Sequence, residues 1–358
     1  MNEDSYLQLA RRLDELPNGF PPTPEGIELR LLAKLFTPEE ARLASRLRLT
    51  LETPEQLAER LGGDSEALRA ILKPMAKRGL IEVGATPDGL GYGIMPFVVG
   101  IYEMQVGRMD GELATLFETY YQQAFSAILS TQPQLHRVIP VRESIRMDIE
   151  IRPYENVLSI LDEARSWGVV DCICRVQKAL IGEGCNHPVD VCMMLSDKPA
   201  AFDNSPLIRA LTRQQAIATL ERAAEAGLVH SVSNNQRGIW YICNCCTCSC
   251  GILRGMAELG IANVVARSEF VNRVDETSCT GCGDCVTVCQ FGALELATTV
   301  LVNAQRCVGC GVCTLACPEG SLSLVRRPEA EIKPPPLDQA EWLQMRAQKR
   351  GLDIKTVL

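Results

Sequence analysis

Hydrophobic residues recur at helical spacing through the first third of the chain, in IELRLLAKLF from Ile27 and in the segments after it. Each of the next three segments begins with a residue that commonly caps a helix, namely Thr37, Thr53 and Asp64. A proline follows the threonine in the first two, at the helical position that proline prefers. The pattern predicts consecutive short helices, the last ending at Gly79 before a strand and a glycine-rich hairpin.

Three helices followed by a hairpin resemble a winged helix. Pro74 lies inside the third helix and is expected to kink it. Residues 97–130 are predicted to continue as a long helical region, so that a winged-helix-like helical domain covers 27–130. Residues 1–26 end in the proline-rich PNGFPPTPEG and are predicted to form an N-terminal arm.

Two amphipathic helices are predicted in the second half, YENVLSILDEARSWG and TRQQAIATLERAAEAG, and each precedes a group of cysteines. This arrangement predicts a cysteine-rich α+β middle domain over 131–270. A triple proline and a short charged helix occupy the C-terminal tail, residues 327–358. We expect the tail to be an extended arm on the body or on a partner, with partial disorder as the alternative.

Seventeen cysteines change this picture, because all of them lie between Cys172 and Cys317. The N-terminus is acidic and polar, unlike a secretory signal, and no run of about 18 apolar residues predicts a transmembrane helix. In a chain expected to be cytoplasmic, so many thiols indicate metal ligands rather than disulfides. The net charge of −8 argues against a general affinity for nucleic acid and suits a soluble electron carrier.

The segments CTGCGDCVTVCQFGALEL and CVGCGVCTLACPEGSLSL are two copies of one motif, and every cysteine of the first recurs 28 residues later. Such a repeat predicts two structural copies. Three cysteines on a tight loop can each reach a different iron of one [4Fe–4S] cluster, and in two-cluster ferredoxins the fourth ligates the other cluster. Glycines at positions 281, 283, 309 and 311 let the backbone wrap a cluster.

The repeat resembles the bacterial 2[4Fe–4S] ferredoxin family over residues 271–326. The resemblance implies two clusters with crossed ligands, one held by Cys279, Cys282, Cys285 and Cys317, and the other by Cys307, Cys310, Cys313 and Cys289. The family's proline after the fourth cysteine is present as Pro318, but Gln290 replaces it in the first copy. We expect Gln290 to alter hydrogen bonding or solvent access, and hence the potential, of the cluster bound by Cys289. Zinc or plain disulfides are the alternatives to iron and sulfide.

Nine cysteines remain outside the repeat, and no standard motif matches them. They form two groups in the sequence: Cys172, Cys174, Cys185 and Cys192, then Cys243, Cys245, Cys246, Cys248 and Cys250. We expect both groups to meet around one or two further Fe–S clusters, because five thiolates within eight residues would repel one another without metal. A zinc site or a redox-active dithiol is the main alternative. In an extended ICNCCTCSC the alternating cysteines would share one face, with Cys246 on the other.

Three polar residues near these cysteines are assigned lesser roles. His187 lies two residues after Cys185 and is expected to support a ligand or lie at the surface rather than bind a metal. Arg175 and Lys178 are expected on a solvated helix face, with balance of cluster charge as the alternative. No haem, dinucleotide or Walker motif is found, so any flavin or nicotinamide is expected on another subunit.

The whole chain also resembles a poorly characterised group of multi-cluster 4Fe–4S proteins of anaerobic bacteria. That group joins an N-terminal helical domain to CICR and CNCC-type cysteines and a C-terminal ferredoxin module. The resemblance implies electron transfer. The predicted fold is α+β and multidomain, with the 2[4Fe–4S] ferredoxin-like domain over 271–326.

We expect an electron-transfer protein or subunit that passes single electrons through [4Fe–4S] clusters to or from a partner oxidoreductase, for which a flavoprotein is a candidate. One alternative is a reductase with a catalytic cluster in the middle domain. The other is a redox-responsive regulator that binds DNA through its winged helix. Residues 27–89 hold ten basic and ten acidic residues, so the winged-helix-like domain lacks the basic excess of a DNA reader.

Overall fold

The computed structural model describes residues 4–145 and 149–358, which combine helices and sheets in two compact units. One unit comprises Met1–Gln132 and Leu343–Leu358, and the other comprises Pro133–Trp342. The predicted boundary at residue 130 lies close to the first division. The predicted boundary at residue 270 does not separate units, because the middle and ferredoxin-like regions belong to one unit.

The first unit is mainly helical. Its helices are α1 (Ser5–Asp14), α2 (Ile27–Leu35), α3 (Pro38–Ala44), α4 (Pro54–Leu61), α5 (Ser65–Lys77) and α6 (Gly111–Leu129), and its hairpin joins β1 (Glu82–Thr86) to β2 (Gly89–Gly93). Thr37 and Thr53 each form a capping box, so α3 and α4 begin where the sequence predicts. Helix α5 continues through Pro74. The order of helices and hairpin agrees with the prediction, whereas a winged helix remains a prediction.

The predicted long helical region over 97–130 is shorter in the structure. Residues Val98, Val99 and Gly100 have non-helical backbone angles, and a 3₁₀ segment occupies Glu103–Arg108. Only α6 is a regular α-helix, and it begins at the cap Asp110, whose side chain accepts a hydrogen bond from the Leu113 amide. A local break in backbone geometry therefore divides the predicted helical region.

Both predicted arms contain packed structure. Within residues 1–26, α1 buries Leu9 and Leu13, and Phe20 packs its ring 4.6 Å from Phe97. Amphipathic spacing in this segment, rather than its prolines, decides its structure. The C-terminal tail forms α13 (Gln339–Lys349), where the sequence predicts a short charged helix.

Arg346 shows how the C-terminal residues are held in the first unit. Its guanidinium is fully buried and donates to the carbonyls of Pro17, Thr131 and Ile128 at 2.9, 2.7 and 2.6 Å. Three carbonyl acceptors compensate for part of the cost of burying the charge.

The second unit contains a six-stranded antiparallel sheet in the order β3–β7–β8–β5–β4–β6. The strands are β3 (His136–Val138), β4 (Ser166–Val170), β5 (Cys192–Ser196), β6 (Arg209–Leu211), β7 (Val229–Ser233) and β8 (Tyr241–Cys245). The helices of this region are α7 (Val157–Glu163), α8 (Ile173–Leu180), α9 (Arg213–Glu225) and α10 (Arg254–Ala257). A buried core of Leu161, Val169, Leu220, Val232 and Ile242 joins the sheet to α7 and α9.

The rest of this unit is a small ferredoxin-like region. It contains β9 (Phe270–Val274), α11 (Asp284–Val288), β10 (Leu294–Leu296), β11 (Val300–Val302), α12 (Val312–Leu315) and β12 (Leu322–Arg326). Strand β9 pairs with β12 and β10 with β11, both antiparallel. The amide of Val141 donates to the carbonyl of Cys310 at 2.8 Å, so backbone hydrogen bonds join this region to the segment after β3. No helix in the described residues has the length and apolar composition needed to span a membrane.

Candidate metal centres

All seventeen cysteines lie within the described residues of the second unit, and all are free thiols. They divide in space into four groups. Two groups belong to the ferredoxin-like region, and the other two are formed by the nine middle cysteines.

The first group comprises the cysteines before and within α11 together with the one after α12: Cys279, Cys282, Cys285 and Cys317. Burial raises the pKa of Cys285, and the charges of Cys317, Cys282 and Cys279 raise it further. Cys279 and Cys317 also pack against the small apolar core that contains Cys285. The fourth cysteine of the second copy is therefore a neighbour of the first three cysteines of the first copy. Cys282 is the exposed member of this group.

The second group consists of the fourth cysteine of the first copy and the first three cysteines of the second copy. These residues line one cavity: Cys289, Cys307, Cys310 and Cys313. Apolar side chains, among them Phe291 and Leu324, complete the wall of this cavity. Burial raises the pKa of Cys310 to about 12, and the charges of Cys307 and Cys289 contribute. A metal centre would replace these thiol protons, because the thiolate is the form that binds metal.

Backbone geometry around both groups fits a bulky inorganic group. Gly309 and Gly311 have φ values of +72° and +80°, and a Cβ on Gly309 would lie 2.1 Å from the carbonyl oxygen of Phe270. The amides of Ala293 and Ser321 each donate to a thiol, at 3.3 Å to Cys289 and Cys317. The donors and the acceptors of these two hydrogen bonds are each 28 residues apart, so both copies of the repeat make the same N–H···S contact.

Asn272 on β9 adds a side-chain contact that the sequence analysis missed. Its Nδ2 donates to Sγ of Cys313 at 2.8 Å, and Asn272 is buried. Hydrogen bonds to ligand sulfurs orient them and tune a cluster's potential. An asparagine in a strand carries no motif, so only the pairing of β9 with β12 could have located it.

These cysteine groups and their glycine loops lie in a segment with a family match. Residues 278–321 match the 4Fe-4S dicluster domain family. No curated protein and no solved structure matches the chain. The ferredoxin-like resemblance of this segment is therefore supported, while the family match covers only a small part of the 358 residues.

Gln290, which takes the place of a proline in this dicluster segment, connects it to the middle cysteines. Its Oε1 accepts from the amide of Thr247 at 2.6 Å, and its Nε2 donates to the carbonyl of Gly227 at 2.5 Å. A longer contact of 3.5 Å reaches the carbonyl of Cys245. The residue next to Cys289 thus bonds directly to the turn after β8, which carries Cys246, Cys248 and Cys250.

Six of the nine middle cysteines lie close enough to shift one another's pKa, each through two neighbours, and are called the six-cysteine ring. Its order is Cys172, Cys174, Cys250, Cys245, Cys243 and Cys192. Hydrogen bonds from Cys174 and Cys192 lower the pKa of Cys172 well below its ordinary value. Hydrogen bonds from Cys243 and Cys250 lower the pKa of Cys245 to about 6. The two cysteines whose pKa is lowered are therefore opposite each other in the ring.

Arg175 lies beside this ring and is 2% exposed. Its Nη1 donates to the Asn244 carbonyl at 3.1 Å and to Sγ of Cys246 at 3.7 Å. Within the described residues, Nε and Nη2 have no hydrogen-bond partner. Coulombic attraction to Cys172 and Cys192 helps to raise the pKa of Arg175 against its burial. The expectation of a solvated helix face is wrong for both Arg175 and Lys178, because α8 buries both side chains.

The remaining three middle cysteines meet a histidine to form the Cys185 site, which consists of Cys185, His187, Cys246 and Cys248. One ligand atom from each residue lies within 4.8 Å of the others. Although burial raises the pKa of Cys185, hydrogen bonds from Ser249 and His187 lower it to about 6. His187 was expected to support a ligand or lie at the surface, whereas the structure places its Nδ1 among the three sulfurs.

The two sequence groups of middle cysteines lie together, and each of the two spatial sites contains residues of both groups. Cys246 and Cys248 both lie in the Cys185 site, so the expectation that Cys246 alone leaves the shared face is wrong. Alternation would put Cys248 and Cys250 on the face of Cys246, but Cys250 returns to the ring with Cys243 and Cys245. The reason is that β8 ends at Cys245 and the chain then turns. Alternation of faces holds only within the strand.

Helix α5 carries three of the ten basic residues between positions 27 and 89 of the predicted winged helix, and Arg78 follows it. Arg69 pairs with Glu55 at 2.6 Å and lies 3.7 Å from Glu66, and Arg78 after the helix pairs with Glu40. Acidic neighbours thus offset part of the positive charge that a DNA reader would present.

Proposed function

We propose that this chain is an iron–sulfur electron-transfer protein that passes single electrons to or from a partner oxidoreductase. The main support for this proposal is the crossed arrangement of the ferredoxin cysteines, in which the fourth cysteine of each copy lies with the first three cysteines of the other copy. This is the ligand arrangement of two adjacent [4Fe–4S] clusters, each of which exchanges one electron when bound.

The proposed ligands of one cluster are Cys279, Cys282, Cys285 and Cys317, and those of the other are Cys307, Cys310, Cys313 and Cys289. The amides of Ala293 and Ser321 and the side chain of Asn272 hydrogen-bond to these sulfurs and favour the more negative, reduced state. Arg327 is buried and donates to the Cys307 carbonyl at 2.6 Å, which places a positive charge beside the second group.

The six-cysteine ring is proposed to hold further Fe–S chemistry. A single [4Fe–4S] cluster binds four thiolates. The six thiols of the ring are two more than one such cluster needs, and they can therefore bind additional iron. Arg175 supplies a buried positive charge and N–H groups for an anionic centre. Gln290, the residue after Cys289, accepts a hydrogen bond from Thr247 in the turn after β8, which gives a short hydrogen-bonded connection between the two regions.

The direction of electron flow through the chain depends on its partner. Cys282 is the exposed cysteine of the ferredoxin groups, so the first cluster is the proposed point of exchange with a partner such as a flavoprotein. The resemblance to multi-cluster proteins of anaerobic bacteria supports an oxygen-sensitive carrier.

Metal analysis and EPR of anaerobically purified full-length protein test this proposal. We expect about eight irons and eight sulfides per chain from the ferredoxin groups, with more from the ring, and EPR signals of reduced [4Fe–4S] clusters after dithionite. Cys282→Ser and Cys310→Ser should each remove or alter one cluster signal. Thr280→Ala, an exposed change in the same loop as Cys282, is the matched control and should leave both signals unchanged.

A protein without reducible clusters, or equal spectra for the parent and both cysteine variants, would contradict the electron-transfer proposal. An iron content of about eight atoms per chain would agree with the two ferredoxin clusters and contradict the proposed cluster in the six-cysteine ring.

A reductase is the second candidate, favoured by the two thiols of the ring beyond the four that one [4Fe–4S] cluster requires. Electrons arriving one at a time from the ferredoxin groups could reduce a disulfide or another small substrate at a centre in the ring. Cys243→Ser should then abolish substrate reduction while the ferredoxin EPR signals persist. If the protein only transfers electrons, the parent shows no substrate reduction, and Cys243→Ser therefore causes no loss of activity.

A further inference from the structure

The Cys185 site differs from the ferredoxin groups in how closely its ligand atoms approach. Sγ of Cys185 lies 4.0 Å from Sγ of Cys246 and 3.4 Å from Nδ1 of His187, and that nitrogen lies 3.7 Å from Sγ of Cys248. Among the described residues, this is the one set of three or more such side chains whose ligand atoms are mutually within 4.8 Å. The ferredoxin cysteines are spread more widely.

These distances match the coordination sphere of one tetrahedral ion. Zn–S bonds of about 2.3 Å and Zn–N bonds of about 2.0–2.1 Å place two sulfurs about 3.8 Å apart and a sulfur and a nitrogen about 3.6 Å apart. A cubane spreads its four thiolates over four irons instead. Three cysteines and one histidine are also a common ligand set of structural zinc sites.

Groups around the site support its ligands. Oγ of Ser249 lies 3.4 Å from Sγ of Cys185, and Nη1 of the buried Arg175 donates to Sγ of Cys246. Three thiolates and a neutral histidine around Zn²⁺ carry a net charge of −1, which the Arg175 guanidinium balances. Such second contacts orient ligands and stabilise their ionised form. Cys248 is exposed, so an ion can enter from solvent.

We propose that Cys185, His187, Cys246 and Cys248 bind a single Zn²⁺ ion in a closed, structural tetrahedral site. The ion joins the loop after α8 to the turn after β8. The loop follows α8, which contains Cys174 and is preceded by Cys172, and the turn lies between Cys245 at the end of β8 and Cys250. Zinc therefore holds the two halves of the ring together without taking part in electron transfer.

Zinc content and zinc affinity of the full chain, measured anaerobically, test this site. We expect about one zinc per chain in the parent. His187→Ala should weaken zinc binding at least tenfold in a titration against a chromophoric chelator, since even indirect partners of a bound metal change affinity by 10–100-fold. Asn186→Ala, an exposed change between two proposed ligands, is the matched control and should bind zinc like the parent.

His187→Cys separates ligation from folding, because it replaces the ligand by another that zinc accepts. It should retain zinc and show the visible absorption of a tetrahedral thiolate site when Co²⁺ replaces zinc in cluster-free protein. The EPR signals of the ferredoxin groups should be the same in the parent and in all variants. Absence of these signals from the parent would contradict the electron-transfer proposal and would leave the zinc proposal unaffected.

Two results would overturn the zinc site. One is equal zinc content or affinity in the parent and His187→Ala. The other is loss of iron instead of zinc in His187→Ala, which would assign the four residues to an iron centre.

Discussion

Single side chains around the middle cysteines determine what charge that region can hold. Arg175 brings a guanidinium into a buried position, where an uncompensated charge is costly. Its contacts with Asn244 and Cys246 satisfy one nitrogen, and Cys172, whose pKa is lowered, lies close enough to attract it. Thiolates bound to a metal in the ring would offset more of the cost of burying this cation.

Gln290 is the residue whose substitution is expected to act on one cluster alone. Gln290→Leu removes the bonds to the Thr247 amide and the Gly227 carbonyl and leaves both backbone groups unpaired, at a cost of about 1–3 kcal/mol each if they stay buried. We expect water to enter beside Cys289 and to raise the potential of the cluster it binds. An EPR-monitored redox titration measures this shift.

Pro318→Ala is the matched control for that variant, since Pro318 is the corresponding residue of the second copy and is exposed. It should leave both potentials unchanged. Equal shifts of both clusters in Gln290→Leu would show that Gln290 acts through general stability and not through its contact beside Cys289.

At the scale of elements, the glycine loops before α11 and α12 decide whether the cysteines can surround a cluster. Gly309 and Gly320 both have positive φ, at +72° and +61°, but only Gly309 is enclosed by backbone. We expect Gly320→Ala to cost about 1–2 kcal/mol from conformation alone and to retain its iron. Gly309→Ala adds a clash with the Phe270 carbonyl and should lose the cluster of the second group.

Iron content and thermal unfolding of the two glycine variants, compared side by side, separate the two effects. Both glycines have positive φ, so the two alanine variants carry similar backbone strain. They differ in the space available for the new Cβ. Full iron in Gly309→Ala would contradict the proposed wrapping of this loop around a cluster.

At the scale of the whole molecule, the second unit contains a buried polar network beside the ferredoxin-like region. Glu155 is 3% exposed and lies 3.9 Å from the buried Arg137, and its carboxylate accepts from the Glu269 amide at 3.4 Å. Glu269 in turn binds Arg152 and Arg326, each at 2.7 Å. This network joins the segment before α7 to β12.

Burial raises the pKa of Glu155 to about 7, although the charge of Arg137 opposes the shift. The folded protein therefore holds this proton more tightly than the unfolded chain does, and the free energy of unfolding falls as pH rises from about 4.5 to 7. We expect Glu155→Gln to remove up to about 3 kcal/mol of this pH dependence. Denaturant unfolding under anaerobic conditions at several pH values measures the difference between parent and variant.

Glu276→Gln, at an exposed position, serves as the control and should follow the pH profile of the parent. His136, whose pKa burial lowers to about 3, contributes with the opposite sign in both proteins and cancels in the comparison. A constant difference between parent and Glu155→Gln across this pH range would contradict the assignment.

Several features could be predicted from the sequence because local spacing determines them. The capping residues place α3 and α4, and the 28-residue repeat places eight cysteines on two equivalent loops with left-handed glycines. The residue types and intervals alone identify this dicluster segment, which the family match supports.

Tertiary structure alone decides how the other nine cysteines are divided. The six-cysteine ring and the Cys185 site combine residues from α8, β5, β8 and the following turn, which are brought together by the sheet and not by sequence spacing. The inward position of Arg175 and the place of His187 follow from the same packing. Contacts between distant segments depend on which faces the core buries, and that information is absent from any short motif.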